Sequence, residues 1–279
     1  MKSPQTFLFT SFILIFSLSA ESQSFKVMTY NFRYATESDG INAWSKRKDR
    51  VYALLRKYDP DIIGIQEALA SQLDDIIQAL PEYAYVGVGR EDGKKAGEFS
   101  ALLYKKEKFQ AIDHNTFWLS EQPDQPGSKS WDAALTRVAT WASLREIKSG
   151  KTLFVLNTHF DHIGKEARFE SANLIKEKLP ALAKGLPVIV TGDFNHQRND
   201  PPYQVMIRKD KFQLIDPAPK DVPGTFCTFA VDSQPCVGID YIYHSPHWKS
   251  GNYAVIRDND GSNYPSDHLP VIVDVSLAK

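Results

Sequence analysis

Short apolar segments rich in β-branched and aromatic residues recur along the chain, and turn-forming polar residues separate them. Segments of this composition and length are typical of β-strands. The pattern predicts strands at residues 25–32, 61–66, 83–88, 100–104, 140–145, 152–158, 187–191, 239–244, 253–256 and 270–275.

Between some of these strands, apolar residues recur at the spacing of one helix face. Connections such as residues 88–100 are too short for a parallel crossover, so we expect sheets that mix parallel and antiparallel strands. Because no linker-like, low-complexity or repeated segment interrupts the pattern, residues 23–279 are predicted to form a single domain. The helical faces are Trp44, Val51, Leu54, Leu55 and Tyr58; Leu73, Ile76, Ile77 and Leu80; and Leu174, Ile175, Leu179 and Leu182.

The first residues have a different pattern. Lys2 precedes an apolar run over residues 7–18, and Ala20-Glu21-Ser22 follows as a small-x-small cleavage site. The run is shorter than a membrane-spanning helix requires, so residues 1–22 are predicted to be a signal peptide. The protein is then secreted or periplasmic, with no stable membrane insertion after cleavage. The alternative is an uncleaved N-terminal anchor.

The composition of the 279-residue chain is that of an ordinary globular protein, with 42% hydrophobic and 24% charged residues. This composition excludes a disordered protein and a collagen-like protein. The 33 basic residues nearly balance the 34 acidic ones, giving a net charge of -1. Such a chain has no overall field for holding a polyanion through many phosphates. The net charge therefore does not imply that the protein binds nucleic acid, although binding remains an alternative.

The chain has two cysteines, Cys227 and Cys236, separated by a short turn-rich segment. In an oxidising compartment we expect a local disulfide between them. The alternative is two free thiols.

Polar residues stand where the predicted buried strands end or begin. Any one of them alone is an ordinary turn residue. Together they supply hard oxygen ligands and two imidazoles, which are the groups needed for a Mg²⁺ site that activates water against a phosphoester. These residues are Asn31, Glu67, His159, Asp193, Asn195, Asp240, Asp267 and His268.

In this order, six short segments resemble the motifs of the endonuclease/exonuclease/phosphatase superfamily (deoxyribonuclease I-like), in an exported bacterial type. The resemblance implies an α+β fold, a four-layer α/β/β/α sandwich of two mixed β-sheets packed face to face with helices outside. It also implies a metal-dependent phosphoric ester hydrolase that cleaves phosphodiester or phosphomonoester bonds by attack of metal-activated water. The segments are Thr29-Tyr-Asn31, Ile65-Gln-Glu67, Asn157-Thr-His159, Gly192-Asp193-Phe-Asn195, Ile239-Asp240-Tyr and Ser266-Asp267-His268.

The resemblance assigns the metal to Glu67, with Asn31 beside it and Asp267 completing the shell. The expected ion is Mg²⁺, with Mn²⁺ as the alternative.

The resemblance also assigns five catalytic residues. Asp193 and Asn195 would orient and deprotonate the attacking water and hold the phosphoryl group. His268, paired with Asp240, would contact that group, because a carboxylate beside an imidazole favours the protonated form that stabilises developing negative charge. His159 would donate to a nonbridging oxygen or to the leaving group.

Three further residues are candidates for substrate binding. Arg33 stands where many related nucleases carry an acidic residue, and it could bind a phosphate or close a salt bridge. Arg137 could clamp a phosphate. Trp131 could form a stacking platform or simply pack under its loop. The charged loop 89–98 is either a recognition loop or, as we favour for its lysines, a solvated hairpin.

Two other functions remain in competition. One is a nuclease acting on DNA or RNA, which the neutral charge disfavours only mildly because a local basic patch would suffice. The other is a noncatalytic binding module on the same fold. Such a module would be expected to lack metal or phosphate residues, whereas the full set is present here.

Overall fold

The computed structural model describes residues 24–278, so the predicted signal peptide lies outside the described residues. The helices are Trp44–Tyr58 (α1), Ala70–Ala79 (α2), Lys165–Ala183 (α3) and Pro201–Ile207 (α4), with a 3-10 helix at Glu37–Asn42. The strands are Ser24–Asn31 (β1), Ile62–Ala68 (β2), Tyr83–Val86 (β3), Phe99–Lys105 (β4), Phe109–Trp118 (β5), Val138–Glu146 (β6), Thr152–His159 (β7), Val188–Asp193 (β8), Asp240–His244 (β9), Trp248–Val255 (β10) and Val271–Leu277 (β11).

The strands form two sheets. The first has the order β10-β11-β1-β2-β4-β3 and the second has the order β5-β6-β7-β8-β9. Each sheet contains one parallel pair, β1 with β2 and β7 with β8, among antiparallel neighbours. The predicted mixing of strand directions is confirmed.

Side chains alternate along β1, and this alternation defines the layers. Phe25 and Val27 are buried between the two sheets. Met28 and Tyr30 point to the opposite face and pack with α1 and α2. Because α3 and α4 cover the outer face of the second sheet in the same way, the predicted four-layer sandwich is confirmed.

A buried polar network joins the sheets just below the strand ends. The Gln66 side-chain amide donates to Oδ1 of Asn157 at 2.7 Å and to Oγ1 of Thr29 at 3.0 Å. The Asn157 amide donates in turn to the carbonyl oxygens of Ile65 and Ala101 in the first sheet. Buried polar groups that are hydrogen-bonded in this way fix the alignment of one sheet on the other.

Gly64 lies in the middle of β2, where the first sheet approaches the second. A Cβ atom here would lie 2.0 Å from Oγ1 of Thr191 and 2.5 Å from Oδ1 of Asn157. Only glycine leaves room for these two polar side chains between the sheets.

The sequence pattern missed one strand, one α-helix and the 3-10 helix at Glu37–Asn42. Strand β5 was not predicted because its middle, residues 112–115, is mostly polar and exposed at the edge of its sheet. Helix α4 was not predicted because it has only seven residues and begins at a Pro-Pro pair. In addition, β10 begins at Trp248 rather than at Tyr253, since its first half is an exposed edge strand without apolar alternation.

The expected disulfide between Cys227 and Cys236 is present. Among residues 24–278, no helix combines the length and the apolar composition that crossing a membrane requires.

Candidate active site

Five of the predicted polar residues meet at one edge of the sandwich because their strands end or begin there. Asn31, His159 and Asp193 end β1, β7 and β8, and Glu67 is the last residue but one of β2. Asp240 begins β9 and is the direct partner of Asp193 in the antiparallel β8–β9 pair. The parallel pairs within each sheet bring their carboxyl ends to the same edge.

A cavity of about 490 Å³ opens at this edge, a volume typical of small-molecule sites. Eight residues predicted from the sequence line it: Arg33, Glu67, Arg137, His159, Asp193, Asn195, Asp267 and His268. Six residues that the sequence analysis did not select also line it: Tyr34, Glu98, Leu135, His162, Phe226 and Ile239.

Glu67 reaches the cavity through an irregularity in β2. The pairing of β2 with β4 shifts register between Ile65 and Ala68, and Glu67 adopts a left-handed φ of 64°. A bulge of this kind turns a side chain out of the regular strand alternation. A left-handed φ at a residue other than glycine costs free energy, and residues with this conformation cluster at functional sites.

Asn31 lies between two carboxylates. Its amide nitrogen donates to Oε1 of Glu67 at 2.9 Å and to Oδ2 of Asp193 at 3.0 Å. Its amide oxygen accepts the backbone N–H of Arg33 at 2.9 Å, which fixes this orientation. Asn31 therefore holds the two carboxylates together, and ligation of a metal by its oxygen stays a prediction.

The acidic groups fit a divalent cation. Ligand atoms of Glu67, Asp193 and His268 lie within 4.8 Å of one another. Burial, with a further contribution from nearby Glu67, raises the pKa of Asp267. Carboxylates crowded in this way repel one another unless a cation neutralises them, and oxygen is the donor atom that Mg²⁺ prefers.

Asp193 is held by contacts on several sides. Its Oδ1 accepts the backbone N–H of Asn195 at 3.0 Å, and its Oδ2 lies 3.5 Å from Nε2 of His159 and 3.7 Å from Nε2 of His268. Burial, together with the neighbouring carboxylate of Asp240, raises the pKa of Asp193 to about 7. A carboxylate with this pKa is suited to accept a proton near neutral pH.

His268 and Asp240 form a buried pair. Nδ1 of His268 lies 2.9 Å from Oδ2 of Asp240. Burial alone would lower the pKa of His268, but the carboxylates of Asp240 and Asp193 outweigh it and raise the pKa well above its ordinary value. The ring is therefore protonated at neutral pH, and its Nε2–H is available to the cavity.

His159 behaves differently from His268. Burial, reinforced by the positive charges of Arg137 and Arg90, lowers the pKa of His159 well below its ordinary value. The neutral ring lies with Nε2 at 3.1 Å from the side-chain amide nitrogen of Asn195. While Nε2 accepts this hydrogen bond it cannot donate to the substrate, so the geometry differs from the donor role expected from the sequence.

The arginines at the cavity are each placed beside a carboxylate. Arg33 binds Asp39 through two hydrogen bonds of 3.1 and 3.0 Å, so the salt bridge considered from the sequence is present. Arg137 is 5% exposed, and its Nε lies 3.7 Å from Asp161, beyond hydrogen-bonding distance. Nε and Nη1 of Arg137 are enclosed and find no hydrogen-bond partner among residues 24–278, whereas Nη2 lies 3.1 Å from Nδ1 of His162.

Trp131 does not line this cavity. It contributes to a separate depression of about 330 Å³ with residues of α3. The reason is local, because Asp132 accepts the backbone N–H groups of Glu166 and Ala167 at the start of α3 and draws the loop onto that helix. Stacking of substrate on Trp131 stays a prediction.

Glu98 and Phe226 are the clearest omissions of the sequence analysis. Glu98 immediately precedes β4, so the strand-end criterion that selected Asp267 and His268 before β11 would have found it. Phe226 packs its ring 4.9 Å from that of His268. No strand-end signal marks Phe226, because it lies in an irregular segment beside the disulfide.

Solved structures resemble this chain over nearly all its length. An endonuclease/exonuclease/phosphatase family protein from Bacteroides thetaiotaomicron matches with a TM-score of 0.87 and 38% identity, over 93% of this chain and 100% of that one. A mannosyl-6-phosphatase from Bacteroides thetaiotaomicron VPI-5482 matches with a TM-score of 0.84 and 38% identity, over 91% and 100% of the two chains.

A sequence match and a family model agree with this likeness. "Protein angel" of Drosophila melanogaster is 26% identical over 257 residues, which are 80% of this chain and 68% of that protein. The model of the Endonuclease/Exonuclease/phosphatase family matches residues 28–268. The chain therefore belongs to the endonuclease/exonuclease/phosphatase family.

Proposed function

We propose that the protein is an exported, Mg²⁺-dependent hydrolase of small phosphoric esters, with phosphomonoesters as its main substrates. The observation that carries the proposal is the convergence of Glu67, Asp193 and His268 in one cavity, with Asp240 paired behind His268. The same convergence disfavours a noncatalytic binding module, for which these buried charges would be a cost without a use.

Glu67 and Asp267 would hold the cation, and Asn31 would keep Glu67 in position. A bound divalent cation supplies positive charge to the phosphoryl oxygens and lowers the pKa of water. His268 is not needed as a ligand, because its Nδ1 is engaged by Asp240 and its Nε2 carries a proton.

The remaining steps use side chains of the chain itself. Asp193 would remove a proton from the attacking water as the new bond to phosphorus forms and the bond to the alcohol oxygen breaks, and the departing oxygen would take up a proton from solvent in the open cavity. His268 donates from Nε2 to a phosphoryl oxygen and stabilises the negative charge that develops. Asn195 links His159 to Asp193. Its side-chain amide donates to Nε2 of His159, and its backbone N–H donates to Oδ1 of Asp193, so this contact keeps Asp193 oriented.

Arg137 would bind the phosphoryl group from the other wall of the cavity. It lines the cavity and is 5% exposed, so its positive charge would attract the phosphoryl group there. Arg33 is less available, since Asp39 already engages it through two hydrogen bonds.

A small substrate is favoured over nucleic acid. Arg33 at the cavity and Arg90 beside it are paired with Asp39 and Glu98, so neither is a free cation for successive phosphates. The solved relative from Bacteroides thetaiotaomicron VPI-5482 is a mannosyl-6-phosphatase, which supports a sugar phosphate or a similar monoester here.

Export is supported by residues 1–22 and by the disulfide, which is typical of proteins outside the cytoplasm. N-terminal sequencing of protein recovered from the medium or periplasm should begin at about residue 23. Retention of residues 1–22 on protein in the membrane fraction would contradict this part of the proposal.

The substrate class is tested by a panel assayed with Mg²⁺: hexose phosphates, p-nitrophenyl phosphate, bis-p-nitrophenyl phosphate, inositol phosphates, sphingomyelin, RNA and plasmid DNA. We expect the highest kcat/KM with a phosphomonoester. Faster cleavage of RNA or plasmid DNA than of every monoester would support the nuclease alternative instead.

A further inference from the structure

Arg47 of α1 is a fully buried cation that does not line the cavity. Its relative exposure is 0%, although arginine is seldom buried to this extent. The guanidinium lies over the ring of Trp44 at 5.1 Å and over that of Phe229 at 5.4 Å. Because it is enclosed and absent from the cavity lining, Arg47 does not contact a substrate directly. Any influence on the site must pass through the groups that it holds.

The guanidinium donates to three backbone carbonyl groups from three different segments. Nε donates to Asn42 at 2.8 Å, Nη1 to Pro265 at 3.1 Å and Nη2 to Arg33 at 2.7 Å. The donors of a guanidinium lie in one plane and point in fixed directions. Three carbonyl groups that bind the same guanidinium are therefore held at fixed positions relative to one another.

Two of these carbonyl groups adjoin residues proposed to form the cation site. Arg33 comes two residues after Asn31, and Pro265 comes two residues before Asp267. A second contact joins the same segments, since Oγ of the fully buried Ser266 donates to the Asn31 carbonyl oxygen at 2.8 Å. Two side chains thus link the turn after β1 to the segment before β11.

The turn that Arg47 holds is strained. Arg33 has a left-handed φ of 54°, a conformation that costs free energy for a side chain of this size. Its carbonyl oxygen also accepts a hydrogen bond of 3.0 Å from the side-chain amide of Gln72 in α2. Its N–H donates to Oδ1 of Asn31, which leaves the Asn31 amide nitrogen facing Glu67. Relaxation of this turn would therefore release the orientation of the Asn31 amide.

Positive charge alone does not explain an arginine at position 47. A lysine would retain the charge that acts on Asp267. However, its donors belong to a single nitrogen atom at the end of a flexible chain, and they cannot reproduce a planar fork that reaches three separate carbonyl groups. The contacts therefore assign Arg47 a geometric role, which replacement by lysine would abolish while the charge is kept.

We infer that Arg47 is a positioning residue for the cation site. Together with Ser266, it holds the turn after Asn31 against the segment before Asp267 and so fixes the spacing of the groups that would bind the cation. It is neither a ligand nor a substrate contact. The inference rests on the proposed function of the cavity and adds a residue of α1 that prepares the site for its cation.

The test measures the dissociation constant of Mg²⁺ by isothermal titration calorimetry in the absence of substrate. For Arg47→Lys we expect a constant about tenfold or more above that of the wild type, as is typical when a residue that orients metal ligands is replaced. A constant within about twofold of the wild-type value, in protein that remains folded, would overturn the inference.

Two variants of the same helix serve as controls. Arg56→Lys replaces an exposed arginine whose Nη2 donates to the carbonyl oxygen of Ala79 at 2.9 Å, so it removes the same kind of contact elsewhere. Leu55→Ala removes packing from a side chain that is 1% exposed and lowers the free energy of unfolding. Both folded variants should bind Mg²⁺ within about twofold of the wild type. A rise for either control equal to that for Arg47→Lys would show that any disturbance of α1 is sufficient, and would overturn the inference.

Ser266→Ala keeps the inference testable if Arg47→Lys does not fold. It removes the other hydrogen bond between the two segments with the loss of a single hydroxyl group. The dissociation constant for Mg²⁺ should rise by about threefold or more, as expected for one buried hydrogen bond. An unchanged constant would overturn the inference.

Failure of this inference is distinguishable from failure of the proposed function. If the wild type binds no Mg²⁺, the proposed function fails and the inference fails with it. If Glu67→Gln loses affinity for Mg²⁺ but Arg47→Lys and Ser266→Ala do not, the cation site stands as proposed and the positioning role of Arg47 is wrong. Weaker binding by all three, with both control variants unchanged, is the result that the inference predicts.

Discussion

The two buried histidines of the cavity illustrate how surroundings decide the charge of a side chain. His268 lies 2.9 Å from Asp240, and the neighbouring carboxylates raise its pKa against the effect of burial. His159 is equally buried but lies near Arg137 and Arg90, and its pKa falls. One ring is thus a hydrogen-bond donor to an anion and the other is a neutral acceptor.

The Asp240–His268 pair predicts a pH dependence. His268 must be protonated to donate, so activity falls on the alkaline side as the ring loses its proton. Asp240→Asn removes the charge that raises the pKa of His268, and the alkaline limb should therefore move to lower pH. The measurement is the pH profile of kcat/KM for both proteins, and an unmoved profile would contradict the pairing.

The same pair predicts coupling between two substitutions. His268→Ala should cost about 3 to 5 kcal/mol of transition-state stabilisation, as expected for loss of a charged donor. Once His268 is absent, Asp240→Asn should add much less than it does alone, because Asp240 acts through the ring. Simply additive losses in this double-mutant cycle would show that the two residues work independently.

At the level of strands, the site depends on how closely the two sheets approach each other. Gly64 of β2 leaves space for the side chains of Asn157 and Thr191, which belong to the opposite sheet. Asn157 and Gln66 then hold β2 against β7, one residue before Glu67 and two residues before His159. Correct packing in the middle of the strands thus positions the groups at their ends.

Gly64→Ala should lower the free energy of unfolding by at least about 2 kcal/mol, because its Cβ atom would overlap Thr191 and Asn157. Denaturant unfolding measures the change. Gly251→Ala in β10 is the matched control, since a Cβ atom there meets nothing within 4 Å. A similar loss for both variants would mean that the close approach at Gly64 is not the cause.

The disulfide supports the segment that carries Phe226. Cys227 and Cys236 enclose a short loop, and the residues just outside it include Phe226 beside His268. Reduction should lower the free energy of unfolding by about 2 to 3 kcal/mol and also reduce kcat, because Phe226 loses its support. Unfolding and turnover with and without reductant test this, with Cys227→Ser/Cys236→Ser as the matched variant. Unchanged stability and turnover would contradict it.

Across the whole molecule, the sequence predicted the parts that depend on local pattern. The helices α1, α2 and α3 and most strands follow from apolar spacing, and the strand-end residues follow from the motifs. The pattern could not show that Asp193 faces Asp240 across a strand pair, that Trp131 lies over α3, or that Glu98 shares the cavity with Glu67. These relations depend on tertiary packing between residues distant in sequence.

The overall charge agrees with a small substrate. A net charge of -1 and the carboxylate partners of Arg33 and Arg90 leave little long-range attraction for a polyanion. The proposed recognition of one phosphoryl group by Arg137 requires no such field.

The central claim is that the cavity hydrolyses phosphoric esters with a divalent cation held by Glu67. Its most direct test is phosphate release from a phosphomonoester by the purified protein in Mg²⁺, in EDTA, and after Mg²⁺ is restored, beside Glu67→Gln and the exposed control Glu107→Gln. We predict that the wild type is active in Mg²⁺, inactive in EDTA, and active again once Mg²⁺ is restored. Glu67→Gln should lose at least about 100-fold in activity while its free energy of unfolding stays unchanged. Glu107→Gln should have wild-type activity. Undiminished turnover in EDTA or by Glu67→Gln would contradict the account.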